Sequence, residues 1–468
     1  MIRVFDHYVP TRTVLELGTD FVLLLLAAMF AGTSLAWLHH ALPTSLDELQ
    51  LLLPPALAFA ATMSLLFVAF GAYRRERSGS ARTLWLCALL SSFVSVGPLW
   101  FVAERVYYPQ HNALRFLGLA YAFEFALLLA RQPLLSTYAR RLWNRKVLVV
   151  GCGSEAAAVA GDLRQHGAGA YRLVGFYPSR HDEAMEELEG GRVFDTDITL
   201  STLAQEHNVD EIVVAVREQR GGVLPIRQLL ECRTLGIPVF SLAAFNERIK
   251  GEVPLDSLKA SWLIYGNGFA QGWARTTVKR AFDIVASFML LALTWWIMLL
   301  AAAAIVIEDG MPVLFRQERV GRYGHCFQVL KFRSMRTDAE KDGVARWAQS
   351  NDPRVTRVGR FIRKTRIDEL PQLFNVLRGE MSLVGPRPER PSFVEQLTEQ
   401  IPYYAIRHSV KPGLTGWAQV RFSYGASLAD ARRKLQFDLY YVKNHSLVLD
   451  LQILVETVRV VLFGEGAR

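Results

Sequence analysis

Four apolar stretches open the chain: Val14 to Leu38, Leu51 to Tyr73, Thr83 to Val102 and Ala113 to Ala130. Each is about as long as the roughly 20 residues a helix needs to cross a bilayer core. The loop after the first carries Asp47 and Glu48, and the loop after the second carries Arg74, Arg75, Arg77 and Arg82. Behind the fourth stretch lie Arg131, Arg140, Arg141, Arg145 and Lys146. Because short basic loops stay on the cytoplasmic side, this pattern puts the N-terminus and everything after residue 131 at the cytoplasmic face. The first run is longer than a signal-peptide core and lacks a small-residue cleavage site, so it is expected to remain in the mature protein.

From about residue 145 the pattern changes to short apolar runs alternating with helical periodicity. Strands are expected near Lys146–Val150, Arg172–Phe176, Glu211–Ala215 and Pro238–Phe240, with helices near Glu155–Gln165, Leu200–His207 and Leu224–Leu235. That alternation defines a parallel α/β domain. Its first turn fits GxGxxA through Gly151, Gly153 and Ala156, which invites a dinucleotide. The second strand, however, ends in Phe176-Tyr177-Pro178, without the acidic residue that would hold a ribose. A folding, dimerising or nucleotide-sensing role fits this domain better than a bound nicotinamide cofactor.

A mixed stretch then leads to a long apolar segment with no charge from Ile284 to Ile307. As a straight helix it would run about 36 Å, enough to span. Its flanks are both basic, Lys279 and Arg280 before, Arg316, Arg319 and Arg322 after, so a true crossing would carry a basic remainder outside. A helix that enters one leaflet and returns resolves the conflict; no proline stands at the centre to break it, so the interface-favouring Trp295 and Trp296 either mark a shallow turning point or are lipid-facing residues of an ordinary spanning helix.

Composition narrows the class. The 468 residues are 51% hydrophobic with a net charge of +9, which argues for several units, at least one of them in a membrane. The isolated cysteines Cys87, Cys152, Cys232 and Cys326 offer neither a disulfide framework nor a zinc site. Basic residues dominate Arg316 to Arg366, a face suited to nucleic acid, anionic lipid or a phosphorylated substrate. No nucleic-acid-binding signature accompanies it, so nucleic acid is not an expected partner.

Within that basic region stand two adjacent acids, Asp368 and Glu369. In a helix they would point about 100° apart and so take separate roles. Flanked by Arg363, Lys364 and Arg366, a carboxylate is expected to stay ionised, which suits a nucleophile or a Mg²⁺ ligand better than a general acid. Arg387 lies between Pro386 and Pro388, whose stiffened backbone fits a guanidinium that meets a phosphate in fixed geometry.

The stretches "KRAFD", "FRQERVGRYGHCFQVLKFRSMRTDAE", "RFIRKTRIDELPQLFNVLRGEMSLVGPRPE", "KPGLTGWAQV" and "DLYYVKNHSLVLDLQILVETVRVVL" resemble, in this order, the bacterial sugar transferase family, the monotopic phosphoglycosyl transferases. The long-form members share the helical N-terminal region and a Rossmann-like domain. "WAQSNDPRVTRVGR", "RFSYGAS" and "LFGEGAR" are similar to the branch associated with exosortase-linked (PEP-CTERM) exopolysaccharide loci. The resemblance implies α-helical membrane segments plus α/β: a four-helix transmembrane region over 1–133, a Rossmann-like α/β domain over 134–245 and a linker over 246–276. A catalytic domain then covers 277–468, with a re-entrant helix at about 278–307 and an interfacial amphipathic helix over Ser446 to Phe463.

The resemblance further implies transfer of a sugar-1-phosphate from a UDP-sugar, glucose or galactose, to polyprenyl (undecaprenyl) phosphate with release of UMP. It places the catalytic dyad on Asp368 and Glu369, with Asp368 as nucleophile forming a covalent phosphosugar-aspartate and Glu369 helping to hold Mg²⁺. Lys331, Arg333 and Arg387 would meet phosphoryl oxygens, with Pro386 and Pro388 as supporting motif. Membrane lipids and a second copy of the chain, as a homodimer, are the other partners, and the bacterial inner membrane is the location. Family members carry a Ser-Pro pair where this chain has Trp295 and Trp296. Two other readings use the same sequence: a noncatalytic, nucleotide-sensing membrane scaffold, and a nicotinamide-dependent oxidoreductase built on Gly151 and Gly153.

Overall fold

The computed structural model describes residues 2–4, 7–9, 11–38, 46–70, 81–106, 113–142, 145–165, 171–179, 187–188, 191–216, 224–255, 272–337, 352–422 and 427–463. The basic loop at 74–77 and the latter part of the basic block, 338–351, lie outside them. The chain divides into two compact units, one formed mainly by residues up to Phe245 and the other by Asn246 onward.

In the first unit the apolar stretches form helices Thr11–Leu38, Leu46–Phe70, Ala81–Val106 and Ala113–Leu142. Their shared core is rich in small side chains, Ala28, Ala31, Ala56, Ala60, Ala88 and Ala120, whereas Leu26, Phe30, Leu65, Phe93 and Phe101 face outward. Small residues inside and large apolar residues outside suit lipid, where close backbone approach rather than hydrophobic burial holds helices together. By length and composition, three helices among the described residues can cross a membrane, through Glu16–Leu35, Cys87–Glu104 and Trp273–Asp309.

The α/β region follows the expected alternation. Parallel strands Arg145–Val150, Tyr171–Tyr177, Glu211–Val214 and Val239–Ser241 form one sheet with the second strand outermost beside the first. Helices Ser154–Gln165, Leu200–Glu206 and Ile226–Thr234 connect them. Val147, Leu148, Val149 and Val150 are all fully buried, as a central parallel strand covered on both faces requires. Tyr177, at the strand end where a ribose-binding acid would sit, turns inward, its hydroxyl 3.2 Å from the Ile198 carbonyl and 3.1 Å from Gln228 Oε1.

The second unit is organised around helix Trp273–Asp309. The break that a turning point at Trp295 and Trp296 would need is absent: the helix runs uninterrupted for 37 residues. No residue inside it is a proline, so every internal N–H remains available to the ladder. Thr294 donates to the Leu290 carbonyl at 2.7 Å and Trp296 Nε1 to the Leu293 carbonyl at 2.9 Å. Both ends of this helix pack on the same unit. Near its start Phe282 and Ala286 meet the main core, and near its end Ala301 and Ile305 meet Phe332 and Ile362. The opposite face, with Phe288, Leu293, Trp295, Trp296, Leu299 and Leu300, is exposed and apolar.

Charged side chains fix the helix to its neighbours. Arg280 donates to the carbonyls of Val376 and Leu377, at the C-terminal end of helix Gln372–Arg378. Lys279 pairs with buried Asp450 at 2.6 Å, and the Tyr441 hydroxyl lies 2.8 Å from the same carboxylate. Removing one partner of such a buried pair costs about 3–5 kcal/mol. Asp450 belongs to helix Leu447–Phe463, whose Leu449 and Ile453 are also buried, so its acid points to protein rather than to solvent. Part of the expected linker belongs to this core as well: Val253 is buried, Glu247 pairs with Lys443 and Glu252 with Arg433. Residues 256–271 lie outside the described ones.

An antiparallel ribbon, Leu314–Val320 with Cys326–Phe332, and a parallel pair, Ser382–Val384 with Gly413–Thr415, complete the frame. The parallel pair brings Gly385 and Gly413 backbone to backbone; a methyl on Gly413 would run into the Gly385 amide and the Thr415 carbonyl. Gly413→Ala is therefore expected to cost about 2–3 kcal/mol, read as a lower thermal unfolding midpoint of the full chain in detergent. Gly153→Ala, where nothing stands within 4 Å of the added methyl, is expected to leave that midpoint unchanged.

Candidate active site

Asp368 and Glu369 sit on a single 3₁₀ turn, Ile367–Glu369, rather than in an α-helix. The turn is entered through Arg366 in the left-handed region, φ 59°. That conformation is uncommon for a side-chain-bearing residue, and it ends helix Arg357–Lys364 so that both acids face inward. Asp368 is 9% exposed and Glu369 8%.

Three cations converge on one oxygen. Glu369 Oε1 lies 2.7 Å from Arg387 Nη2, 3.4 Å from Arg366 Nη1 and 3.9 Å from Lys331 Nζ. Each comes from a different segment: the loop after strand Ser382–Val384, the left-handed residue before the turn, and the strand Cys326–Phe332. Asp368, by contrast, makes no ion pair or hydrogen bond among the described residues.

The electrostatics follow. Burial alone would raise both carboxyls. For Glu369 the charges of Arg387, Lys331 and Arg366 more than offset burial and hold it down at about 2. For Asp368 burial wins, reinforced by the Glu369 charge, and its carboxyl is pushed up to about 6 despite Lys331, Arg366 and Arg387. The basic neighbours therefore hold one acid down, while burial raises the other. Of the flanking residues Arg363, Lys364 and Arg366, only Arg366 pairs with the turn. Lys331 is itself lowered to about 8, first by burial and then by Arg387.

The Pro386-Arg387-Pro388 segment is held along its whole length. The Pro386 carbonyl accepts from Gly413 N at 2.9 Å, the Pro388 carbonyl from Arg319 Nη1 at 3.0 Å, and the Glu389 carbonyl from Val320 N at 2.9 Å. The two prolines limit φ, and these bonds fix the rest, so Arg387 leaves a rigid backbone. Arg319 and Gly413 were not among the expected site residues. A glycine beside a proline in "KPGLTG" was the available signal for close backbone approach.

Arg333 is not brought to the acids. Its Nη2 donates to the carbonyls of Asp309 and Gly310 at 2.8 and 2.7 Å, with the Asp309 carboxylate 3.3 Å away. It closes the C-terminal end of the long helix, whose carbonyls lack intrahelical partners. Arg333 follows the last strand residue, Phe332, so strand alternation no longer aligns it with Lys331.

Among the described residues no group of three or more His, Cys, Asp or Glu gathers as a metal site. Two carboxylates do fit Mg²⁺ at a diphosphate, where one or two protein carboxylates suffice and substrate oxygens complete the set.

A family model for bacterial sugar transferases matches residues 274–464. The chain is 45% identical over 242 residues to a UDP-N-acetylgalactosamine-undecaprenyl-phosphate N-acetylgalactosaminephosphotransferase of Aeromonas hydrophila, covering 52% of this chain and 56% of that protein. It is 36% identical to an undecaprenyl-phosphate glucose phosphotransferase of Komagataeibacter xylinus, over 71% and 61% of the two chains. Against an undecaprenyl-phosphate galactose phosphotransferase of Salmonella typhimurium identity is 33%, over 70% of each. The chain thus spans 56% and 61% of the first two of these relatives. It belongs to the bacterial sugar transferase family.

The pKa ordering has a direct consequence. Infrared difference titration of wild type against Asp368→Asn is expected to place the Asp368 carboxyl midpoint near 6. Glu369→Gln removes a negative neighbour and frees the cations, so the midpoint moves down toward the ordinary carboxylate range. Arg387→Gln removes a positive neighbour and moves it up.

Proposed function

We propose that this chain is a phosphoglycosyl transferase of the bacterial inner membrane, working at its cytoplasmic face. It moves a sugar-1-phosphate from a UDP-sugar to undecaprenyl phosphate, the first membrane step of exopolysaccharide synthesis. The division of labour within the acidic pair carries this reading: Glu369 is committed to Arg387, Arg366 and Lys331, while Asp368 beside it is uncommitted.

In the first step an Asp368 oxygen attacks the β-phosphorus of the donor. The bond from that phosphorus to the bridging oxygen breaks, and UMP leaves with the electron pair. A sugar-phosphoryl aspartate remains. In the second step a phosphate oxygen of undecaprenyl phosphate attacks the same phosphorus, the Asp368 carboxylate is released, and undecaprenyl-diphospho-sugar forms. Splitting the transfer in two is the general advantage of a carboxylate nucleophile.

Arg387 and Lys331 stabilise the phosphoryl oxygens as charge redistributes. Glu369 holds both cations in place before substrate arrives, so little reorganisation is needed at reaction. Mg²⁺, held by Asp368 and Glu369, would neutralise diphosphate charge. Arg333 contributes by fixing the end of the long helix instead of touching substrate.

The membrane arrangement belongs to the same reading. Both ends of helix Trp273–Asp309 pack on one unit, which supports a segment whose two ends stay at one membrane face and whose exposed apolar side meets acyl chains. The N-terminal helices form a four-helix transmembrane region, and the sheet is a Rossmann-like domain. Glucose and galactose are the expected donors, and the similarity to an N-acetylgalactosamine transferase adds UDP-N-acetylgalactosamine.

The test is UMP release by the purified full chain with Mg²⁺ and undecaprenyl phosphate across these UDP-sugars. Lipid-dependent release from one donor is expected, with Asp368→Asn lowering it by at least about 1,000-fold and Arg387→Lys by about 100-fold. Release that survives in Asp368→Asn, or none from any donor, would overturn the reading.

A further inference from the structure

Arg407 and Asp438 are buried, 5% and 2% exposed, yet neither touches the acidic pair. Arg407 lies on the 3₁₀ segment Tyr404–Ser409 and Asp438 on helix Leu428–Asn444. The guanidinium makes three different contacts. Its Nε donates to Asp438 Oδ2 at 3.0 Å, its Nη1 to the Tyr404 hydroxyl at 3.1 Å, and its Nη2 to the main-chain carbonyl of Arg387 at 2.9 Å. Nη2 also lies 2.8 Å from Asp438 Oδ2.

That carbonyl completes a series. Pro386, Pro388 and Glu389 each have their carbonyl bonded, by Gly413, Arg319 and Val320 respectively, and the Arg387 carbonyl accepts from the buried guanidinium of Arg407. An isolated buried guanidinium is costly; Asp438 compensates it and also limits its orientation, since its carboxylate spans Nε and Nη2 and the Tyr404 hydroxyl takes Nη1, which turns the other side of Nη2 to the Arg387 carbonyl. Lysine could keep the ion pair but not this fork.

We propose that Arg407 and Asp438 are a positioning pair, which sets the backbone at Arg387 and through it the placement of that guanidinium against Glu369 and the donor diphosphate. The inference rests on the phosphoglycosyl transfer reading. Neither residue touches substrate.

The experiment compares steady-state UMP release by full-length wild type, Arg407→Lys, Arg387→Lys and the double variant, each normalised to folded protein by thermal unfolding. Arg407→Lys is expected to lower kcat by about 100-fold, the cost of a small misplacement, with donor KM within about threefold of wild type. In the double variant kcat is expected to be no lower than in Arg387→Lys alone, because both changes act through one guanidinium. A kcat for Arg407→Lys within about twofold of wild type, or losses that multiply in the double variant, would overturn the positioning role. Absence of release from wild type overturns the transfer reading, and the positioning role with it. If Arg407→Lys does not fold, Tyr404→Phe deletes only the hydroxyl on Nη1. It is then expected to lower kcat about fivefold in wild type and not at all in the Arg387→Lys background; equal losses in both would overturn the proposal.

Discussion

One oxygen of Glu369 sets the geometry of the site. A buried carboxylate is tolerated only when its charge is compensated, and here Arg387, Arg366 and Lys331 all supply that compensation. Those cations would repel one another if brought together without the acid. The carboxylate thus permits a cluster of positive charge beside an acid that stays uncommitted, and the loop, turn and strand carrying the cations are held in register by it. The asymmetry between two adjacent residues follows: the charges of the cations hold the acid that binds them well below the usual carboxylate range, and burial raises its neighbour above it.

The rest of the second unit keeps those segments where the oxygen needs them. Arg280 and Arg333 each satisfy carbonyls at a helix end, and Glu308 accepts from the amides of Arg357 and Val358 at the start of helix Arg357–Lys364. Arg333, one of the basic residues read from the sequence as a substrate face, is therefore structural. Guanidiniums ending helices and crossing between elements are a natural outcome where a long apolar helix must be fastened to a polar domain, since capping supplies both hydrogen bonds and favourable dipole interaction.

The long helix reconciles two demands. Its exposed apolar side suits lipid, and its packed side, through Asp283, Ser287, Ala301 and Ile305, suits protein contact at both ends. Asp283 accepts from Leu383 N at 3.2 Å, so the membrane element also steadies the strand that leads to Arg387.

Sequence alone determined much of this protein. The alternation of apolar runs fixed the parallel sheet nearly to the residue, because a buried parallel strand must be continuously apolar, and Asp368, Glu369 and Pro386-Arg387-Pro388 stood out by spacing and backbone chemistry. Other features depended on tertiary structure. Local charge foretold an ionised carboxylate, whereas the balance of burial against charge, which no local pattern reports, shifted the two acids in opposite directions. Lys331 and Arg333 looked alike two residues apart, but the strand ends between them and only Lys331 reaches Glu369. Arg407 and Asp438, far apart in sequence and ordinary in context, became meaningful only when the fold closed them over the carbonyl of Arg387. The tryptophan pair admitted a turning point, yet an unbroken ladder costs nothing where no residue lacks an N–H, and packing at both ends decided the helix's course.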